Sequence, residues 1–142
     1  MATAMDKRLF YLMNIAQHRV FKYADAESEK RIGLSVTQSA ALMFIATNEG
    51  CLQKALSEAT GLNQSAVTGL VGRMMKNDLI DRKICPEDGR ASRLYLSAKG
   101  QAKLPEVFPL IGELNKKLTA GMSTTEIDVV TKFLNNLIKE FS

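Results

Sequence analysis

Between Gln53 and Asn77 the sequence prescribes two short helices and the turn that joins them, and this pair limits the fold more than any other stretch. Gln53 to Thr60 holds no helix breaker, Gly61 supplies a stop, and Asn63 is placed to cap a second helix running to about Asn77. Two helices joined by about three residues that include a glycine form a helix-turn-helix. Beyond Leu79 the pattern changes. Ile80, Arg82 and Ile84 alternate with charged residues, Pro86-Glu87-Asp88-Gly89 supplies turn chemistry, and Leu94 and Leu96 alternate with Arg93 and Tyr95. A hairpin directly after a helix-turn-helix makes the winged variety.

The flanks are helical. From Asp6 to about Lys30, Leu9, Leu12, Met13, Ala16, Val20 and Ala24 recur at three- and four-residue spacings, the stripe of an amphipathic helix. Ser35-Val36-Thr37-Gln38 reads as a capping box opening an apolar helix from Ala40 to Thr47, and Cys51 follows Gly50 at a short strand. After Ser97, Leu104, Val107, Phe108, Ile111, Leu114 and Leu118 lie on one side of a helix that Pro105 and Pro109 should bend or start late. A second capping box, Ser123 to Glu126, opens a last helix with Val130, Phe133, Leu134, Leu137, Ile138 and Phe141 as its stripe. The expected fold is therefore mainly α (α+β), a winged helix-turn-helix over residues 35–100 within one domain spanning 1–142. The arms, 6–32 and 101–142, offer more apolar surface than the small centre can cover, so they are expected to be dimerisation helices and the chain a homodimer.

Charge is placed unevenly. The net charge of +4 is carried by the segment from Asn63 to Lys103, with 8 basic and 4 acidic residues, while 11 basic and 11 acidic residues cancel elsewhere. A locally basic segment is expected where phosphates are met. Stepping 100° per residue from Gln64 puts Ala66, Val67, Leu70, Val71 and Met74 on one apolar face, at about 200° to 340°. The opposite arc holds Gln64, Ser65, Thr68, Gly69, Gly72, Arg73, Met75 and Lys76. Each mid-helix glycine costs roughly 1 kcal/mol relative to alanine, so two on the exposed arc are either neutral surface or a surface that something approaches closely. Gln64 suits adenine edges, Ser65 and Thr68 suit bases or phosphates, and Arg73 and Lys76 suit phosphates. On the hairpin, which carries Arg90 and Arg93, Arg90 suits a minor groove, with Asp88 positioned to orient its guanidinium. Read alone, the same turn is a solvated hairpin.

Other classes fit poorly. At 142 residues and 46% hydrophobic content the chain fills a real core, and no apolar run reaches the roughly 18 residues of a membrane span. Met1 to Arg8 lacks the apolar stretch of a signal peptide, so a soluble, cytoplasmic protein without membrane association is expected. His18 is the single histidine, so neither a metal site nor a nucleophile–histidine pair is expected, and no phosphate loop is present. The chain is not expected to be an enzyme, and no cofactor is implied. The competing reading is a winged-helix module for protein–protein contact without operator binding, which would expose apolar residues where Gln64 to Thr68 and Arg90 stand.

The ordered set Leu56-Ser57-Glu58-Ala59-Thr60-Gly61-Leu62-Asn63-Gln64-Ser65-Ala66-Val67-Thr68, Asp78-Leu79-Ile80-Asp81-Arg82, Asp88-Gly89-Arg90 and Leu96-Ser97-Ala98-Lys99-Gly100 resembles the MarR family of transcriptional regulators over nearly the whole chain. The resemblance implies a homodimer that reads a pseudo-palindromic operator in double-stranded DNA. It further implies a repressor released by a small lipophilic or anionic effector, whose identity stays unknown. It places Gln64, Ser65, Thr68 and Arg73 at recognition-helix positions and Asp88 and Arg90 at the wing. Asn63, Lys76 and Arg93 complete the expected DNA-binding set. Tyr11, His18, Phe44 and Phe108 are candidates to line an effector pocket, or plain core residues. Three features depart from the family: Gly69 stands where many members carry Arg, Ser57 replaces a small Ala, and Pro105 and Pro109 interrupt the long helix. Redox-sensing members carry a reactive cysteine in the first helix, where this chain has none; Cys51 and Cys85 have no assigned role.

Overall fold

The computed structural model describes residues 8–142, which form two compact units divided between Leu110 and Ile111. Asp6 and Lys7, included in the expected first helix, lie outside the described residues.

The first unit runs α1 (Leu9–Ile32), α2 (Val36–Thr47), β1 (Cys51–Leu52), α3 (Gln53–Thr60), α4 (Gln64–Lys76), β2 (Ile80–Cys85), β3 (Asp88–Leu96) and the first part of α5 (Ala98–Leu118). The described strands make one antiparallel sheet in the order β1-β3-β2, with Cys51 opposite Leu94 and Arg82 opposite the same residue on the other side. Leu42, Ile45, Leu56, Val67, Leu70, Val71, Met74, Leu79, Leu94, Val107 and Leu110 fill the core. Only the C-terminal end of α1 joins that core, through Ala24, Ser28 and Ile32. Of its earlier apolar residues Leu12, Ile15 and Val20 are half-buried and others stay exposed, Phe10 by 91% and Phe21 by 47%.

Local chemistry sets the helix ends. Gly33 closes α1 in the left-handed conformation, its N–H donating to the Ser28 and Glu29 carbonyls. Two acceptors meet the start of α2: Ser35 Oγ accepts from Gln38 N–H at 3.1 Å, and Asp25 Oδ1 on α1 accepts from Val36 N–H at 2.9 Å. One turn further along α1, Ser28 Oγ and Ser39 Oγ are 2.7 Å apart in the interior, each satisfying the other. These bonds lock α1 to α2.

The join between sheet and α5 depends on one glycine. Ser97 caps α5, accepting from Gly100 N–H at 3.0 Å and donating to the Asp78 carbonyl. Asp78 itself adopts φ 59° to turn the chain out of α4. This draws α5 so near the Leu79 carbonyl that a Cβ on Gly100 would sit 2.1 Å from its oxygen.

Two expectations are corrected. Pro105 and Pro109 do not delay the helix: α5 starts at Ala98 and continues through both. Both prolines are exposed, so the carbonyls their missing N–H groups leave free can be met by water, while Val107 and Leu110 hold the other side in the core. The hairpin turn is tighter than the sequence suggests, because Asp88 and Gly89 belong to β3 and only Pro86 and Glu87 turn. A register shift between Ile84 and Cys85 accompanies it and leaves Ile84 72% exposed.

The second unit comprises the end of α5 and α6 (Thr124–Glu140). Its capping box is complete, Ser123 Oγ accepting from Glu126 N–H and Glu126 Oε1 from Ser123 N–H. The Ser123 backbone and then its hydroxyl hold the Glu126 carboxyl below its ordinary range. Among the described residues of α6 none is buried, and Val129, Ile138 and Phe141 are largely exposed. No helix among the described residues is long and apolar enough to cross a membrane.

Gly100→Ala is expected to lower the melting temperature sharply, since the added methyl meets backbone rather than a movable side chain. Overpacking of this kind costs about 1–3 kcal/mol or more, and an unchanged thermal melt would show that α5 does not seat on Leu79 as described.

Candidate nucleic-acid interface

The second helix of the helix-turn-helix is held by its apolar face. Val67, Leu70, Val71 and Met74 are buried and Ala66 half-buried, as the angular pattern predicts. The consequence is that Gln64, Ser65, Thr68, Gly72, Arg73 and Lys76 face outward. The turn before it is braced twice. Gly61 takes φ 70° at the end of α3, and Ser57 Oγ donates to the Leu62 carbonyl at 2.7 Å. Ser57 thus supplies a hydrogen bond that an alanine there could not. Asn63 Oδ1 accepts from Ala66 N–H at 2.8 Å, so its side-chain acceptor serves the helix cap.

Gln64, Thr68, Asp88 and Arg90 come together around a concavity of about 490 Å³ between α4 and the hairpin. Among the further residues lining it, none of which the sequence pattern singles out for the site, are Gln53 and Lys54 from the first turn of α3 and Arg82 from β2. Lys54 lies ten residues before the first recognition-helix position, outside the basic segment, and only the packing of α3 against α4 brings it there. Arg82 stands within the basic segment, but nothing in the alternation shows which side of the sheet it takes. Lys54, Arg82 and Arg90 set three positive charges against the single carboxylate of Asp88. The concavity is therefore polar, basic and open to a polyanion.

Asp88 does not orient the Arg90 guanidinium as expected. Its Oδ1 accepts from the Arg90 backbone N–H at 3.0 Å, a local turn bond that shapes the hairpin and leaves the Arg90 side chain exposed. Arg93 has a different place. Its Nη1 donates to the Gly50 carbonyl at 2.9 Å and its Nη2 lies 3.7 Å from Glu87 Oε2, tying the hairpin to the turn before β1. Cys85 Sγ, itself buried, donates to the same Glu87 oxygen at 2.9 Å. That bond first, then its own backbone N–H and Arg93, keeps the Glu87 carboxyl below its ordinary value. Ser65, Arg73 and Lys76 are exposed on α4 but do not line the concavity.

The two glycines of α4 differ. A Cβ on Gly69 would lie 3.3 Å from Arg73 Nη1, so the guanidinium folds back over the space Gly69 leaves. Among the described residues nothing lies within 4 Å of a Cβ built on Gly72. Both cysteines are free thiols among the described residues, and burial, with Glu49 adding to it, pushes the Cys51 thiol above its ordinary value. Little thiolate is then present at neutral pH.

Gly72→Ala is expected to raise the stability of the free protein by up to about 1 kcal/mol, the helix-propensity difference at an unobstructed site. Denaturant unfolding reads this directly, and a loss of stability would contradict the outward placement of this arc.

Residues 32–91 match the family model described as MarR family. Solved structures resemble the whole chain. One described as a probable transcriptional regulator from Pseudomonas aeruginosa is 29% identical, with a TM-score of 0.77 over 94% of this chain and 99% of that one. The PcaV transcriptional regulator from Streptomyces coelicolor, solved in complex with its natural ligand, is 21% identical with a TM-score of 0.82, over 99% and 100% of the two chains. MepR of S. aureus, solved as a DNA complex, is 18% identical with a TM-score of 0.82, over 98% and 100%.

Proposed function

We propose, on the premise that the winged helix-turn-helix of this chain belongs to the MarR family, that the protein is a homodimeric transcriptional repressor. In this reading it binds a pseudo-palindromic operator in double-stranded DNA and releases it when a small ligand binds. The observation that carries the DNA-binding part is the basic concavity where Gln64 and Thr68 of α4 meet Lys54, Arg82 and Arg90. A helix with a polar outer face enters a major groove, and a thin hairpin bearing an exposed arginine reaches the adjoining backbone or minor groove. The exposed arc is polar where a protein-contact module would be apolar, which favours DNA over the alternative. MepR, of the same fold, is solved on DNA.

The residues then divide by role. Gln64, Ser65 and Thr68 face base edges, Lys54, Arg82, Arg73 and Lys76 meet phosphates, and Arg90 is the tip of the wing. Asn63, Asp88 and Arg93 act on the shape of the reading head. The exposed apolar residues of α1 and, separately, those of α6 require cover that a second copy of the chain supplies.

For the ligand, a cavity of about 680 Å³ in the first unit lies against Phe21, Met43, Phe44 and Phe108. Of the four candidates named from sequence, Phe44 and Phe108 line it, whereas Tyr11 and His18 do not. Its polar lining residues are Gln17, Thr37, Thr47 and Thr60, and among the described residues lining it none is charged. Such a cavity suits an uncharged lipophilic effector better than an anionic one. PcaV, of the same fold, is solved with its natural ligand and gives the ligand-binding part its precedent.

Arg90→Ala should weaken binding to all duplexes and lower the slope of log affinity against log salt by about 1, with the dimer intact. Gln64→Ala should instead relax preference at one base pair, by roughly 1–3 kcal/mol. Fluorescence anisotropy over a salt series measures both. Unchanged affinity in the first variant would remove the wing from the interface, and uniform loss across sequences in the second would remove base reading by Gln64.

A further inference from the structure

We infer that Thr68 reads DNA through its methyl group, against the 5-methyl of a thymine, and that Gln53 is the positioning residue that holds it in that role. The inference rests on the DNA-binding reading above and deepens it. A threonine hydroxyl has one hydrogen to give and two lone pairs to receive with. In Thr68 the hydrogen goes to the Gln64 carbonyl one turn earlier, at 2.9 Å, and the oxygen accepts from Gln53 Nε2 at 3.3 Å. No hydrogen is left for an acceptor on a base, and half the acceptor capacity is spent.

What the exposed side chain keeps unspent is chiefly its methyl group. Thr68 sits in the second turn of α4 and in the wall of the concavity, the N-terminal half of the helix, where base edges are met. Among the groups a base pair presents in the major groove, only the thymine methyl is apolar, and a threonine methyl is a natural partner for it. A hydroxyl bonded back to the helix restricts χ1, and the Gln53 amide, arriving from the first residue of α3, donates to the same oxygen. One rotamer is thereby selected before DNA arrives, so no ordering of this side chain is required on binding.

The test uses the full chain and the duplex it enriches from a random library. Each thymine is replaced in turn, in both half-sites, by deoxyuridine, which keeps base pairing and removes only the methyl. The wild type should bind about fourfold more weakly at one position per half-site, the effect of withdrawing one methyl from apolar contact. Thr68→Ser retains the hydroxyl and should lose that difference, whereas Thr68→Val retains a methyl and should keep it. Gln53→Ala should shrink the thymine-to-uracil ratio while its melting temperature stays that of the wild type. The inference is overturned if no uracil penalty depends on residue 68, or if Thr68→Ser preserves the ratio and Thr68→Val abolishes it. A well-folded dimer that enriches no duplex fails earlier, at the DNA-binding reading itself, and the inference falls with it.

Discussion

The burial of Val67, Leu70, Val71 and Met74 is the interaction on which the rest of the first unit depends. Each such side chain contributes roughly 1.5–3 kcal/mol when fully withdrawn from water. Turning α4 by a single residue, 100°, would bring part of this stripe to the surface and put Thr68 or Arg73 inside. The core therefore fixes the outward arc without any contact to that arc. Everything read from the arc, including the choice of residues that can meet a base edge, follows from a packing event on the opposite side of the helix.

The wing is anchored by different means. Ile80, Leu94 and Leu96 seat the base of the strand pair in the core, while Ile84, nearer the turn, points outward. Beyond that base the hold is polar: Arg93 reaches the Gly50 carbonyl before β1, and within the hairpin Glu87 takes both Arg93 and the Cys85 hydrogen. Charge-assisted bonds of this kind are directional, so they set the orientation of the strand that presents Arg90. One arginine of the pair shapes the wing and the other is left exposed. Gly100, itself buried, lets α5 close on the Leu79 carbonyl, and the long helix starts from a fixed point.

Much of this was legible in the sequence because local rules govern it. The Gly61 stop, the Asn63 cap, the apolar face of α4 and the capping box at Ser123 are each set by successive residues no more than four positions apart. What escaped was decided by distant partners. Arg93 and Arg90 look alike on a hairpin, and Arg93 is marked as the structural one by its bond to Gly50, 43 residues away in sequence, together with Glu87. Asp88 turned to backbone, accepting the N–H two residues on, a local turn bond that competes with any pairing to a guanidinium. Lys54 and Gln53 joined the site only when α3 and α4 folded against each other. The prolines of α5 misled because their cost depends on whether the freed carbonyls reach water, which composition does not reveal.

The central claim is that the outer arc of α4 and the wing form one surface that reads duplex sequence. Selection of bound duplexes from a random library by the purified full-length protein tests it most directly, and it requires no candidate target. The account predicts enrichment of an inverted repeat whose half-sites lie about one helical turn apart, with affinity falling steeply as salt rises. A folded, ligand-free dimer that enriches no sequence, or binds with no dependence on salt, would contradict it.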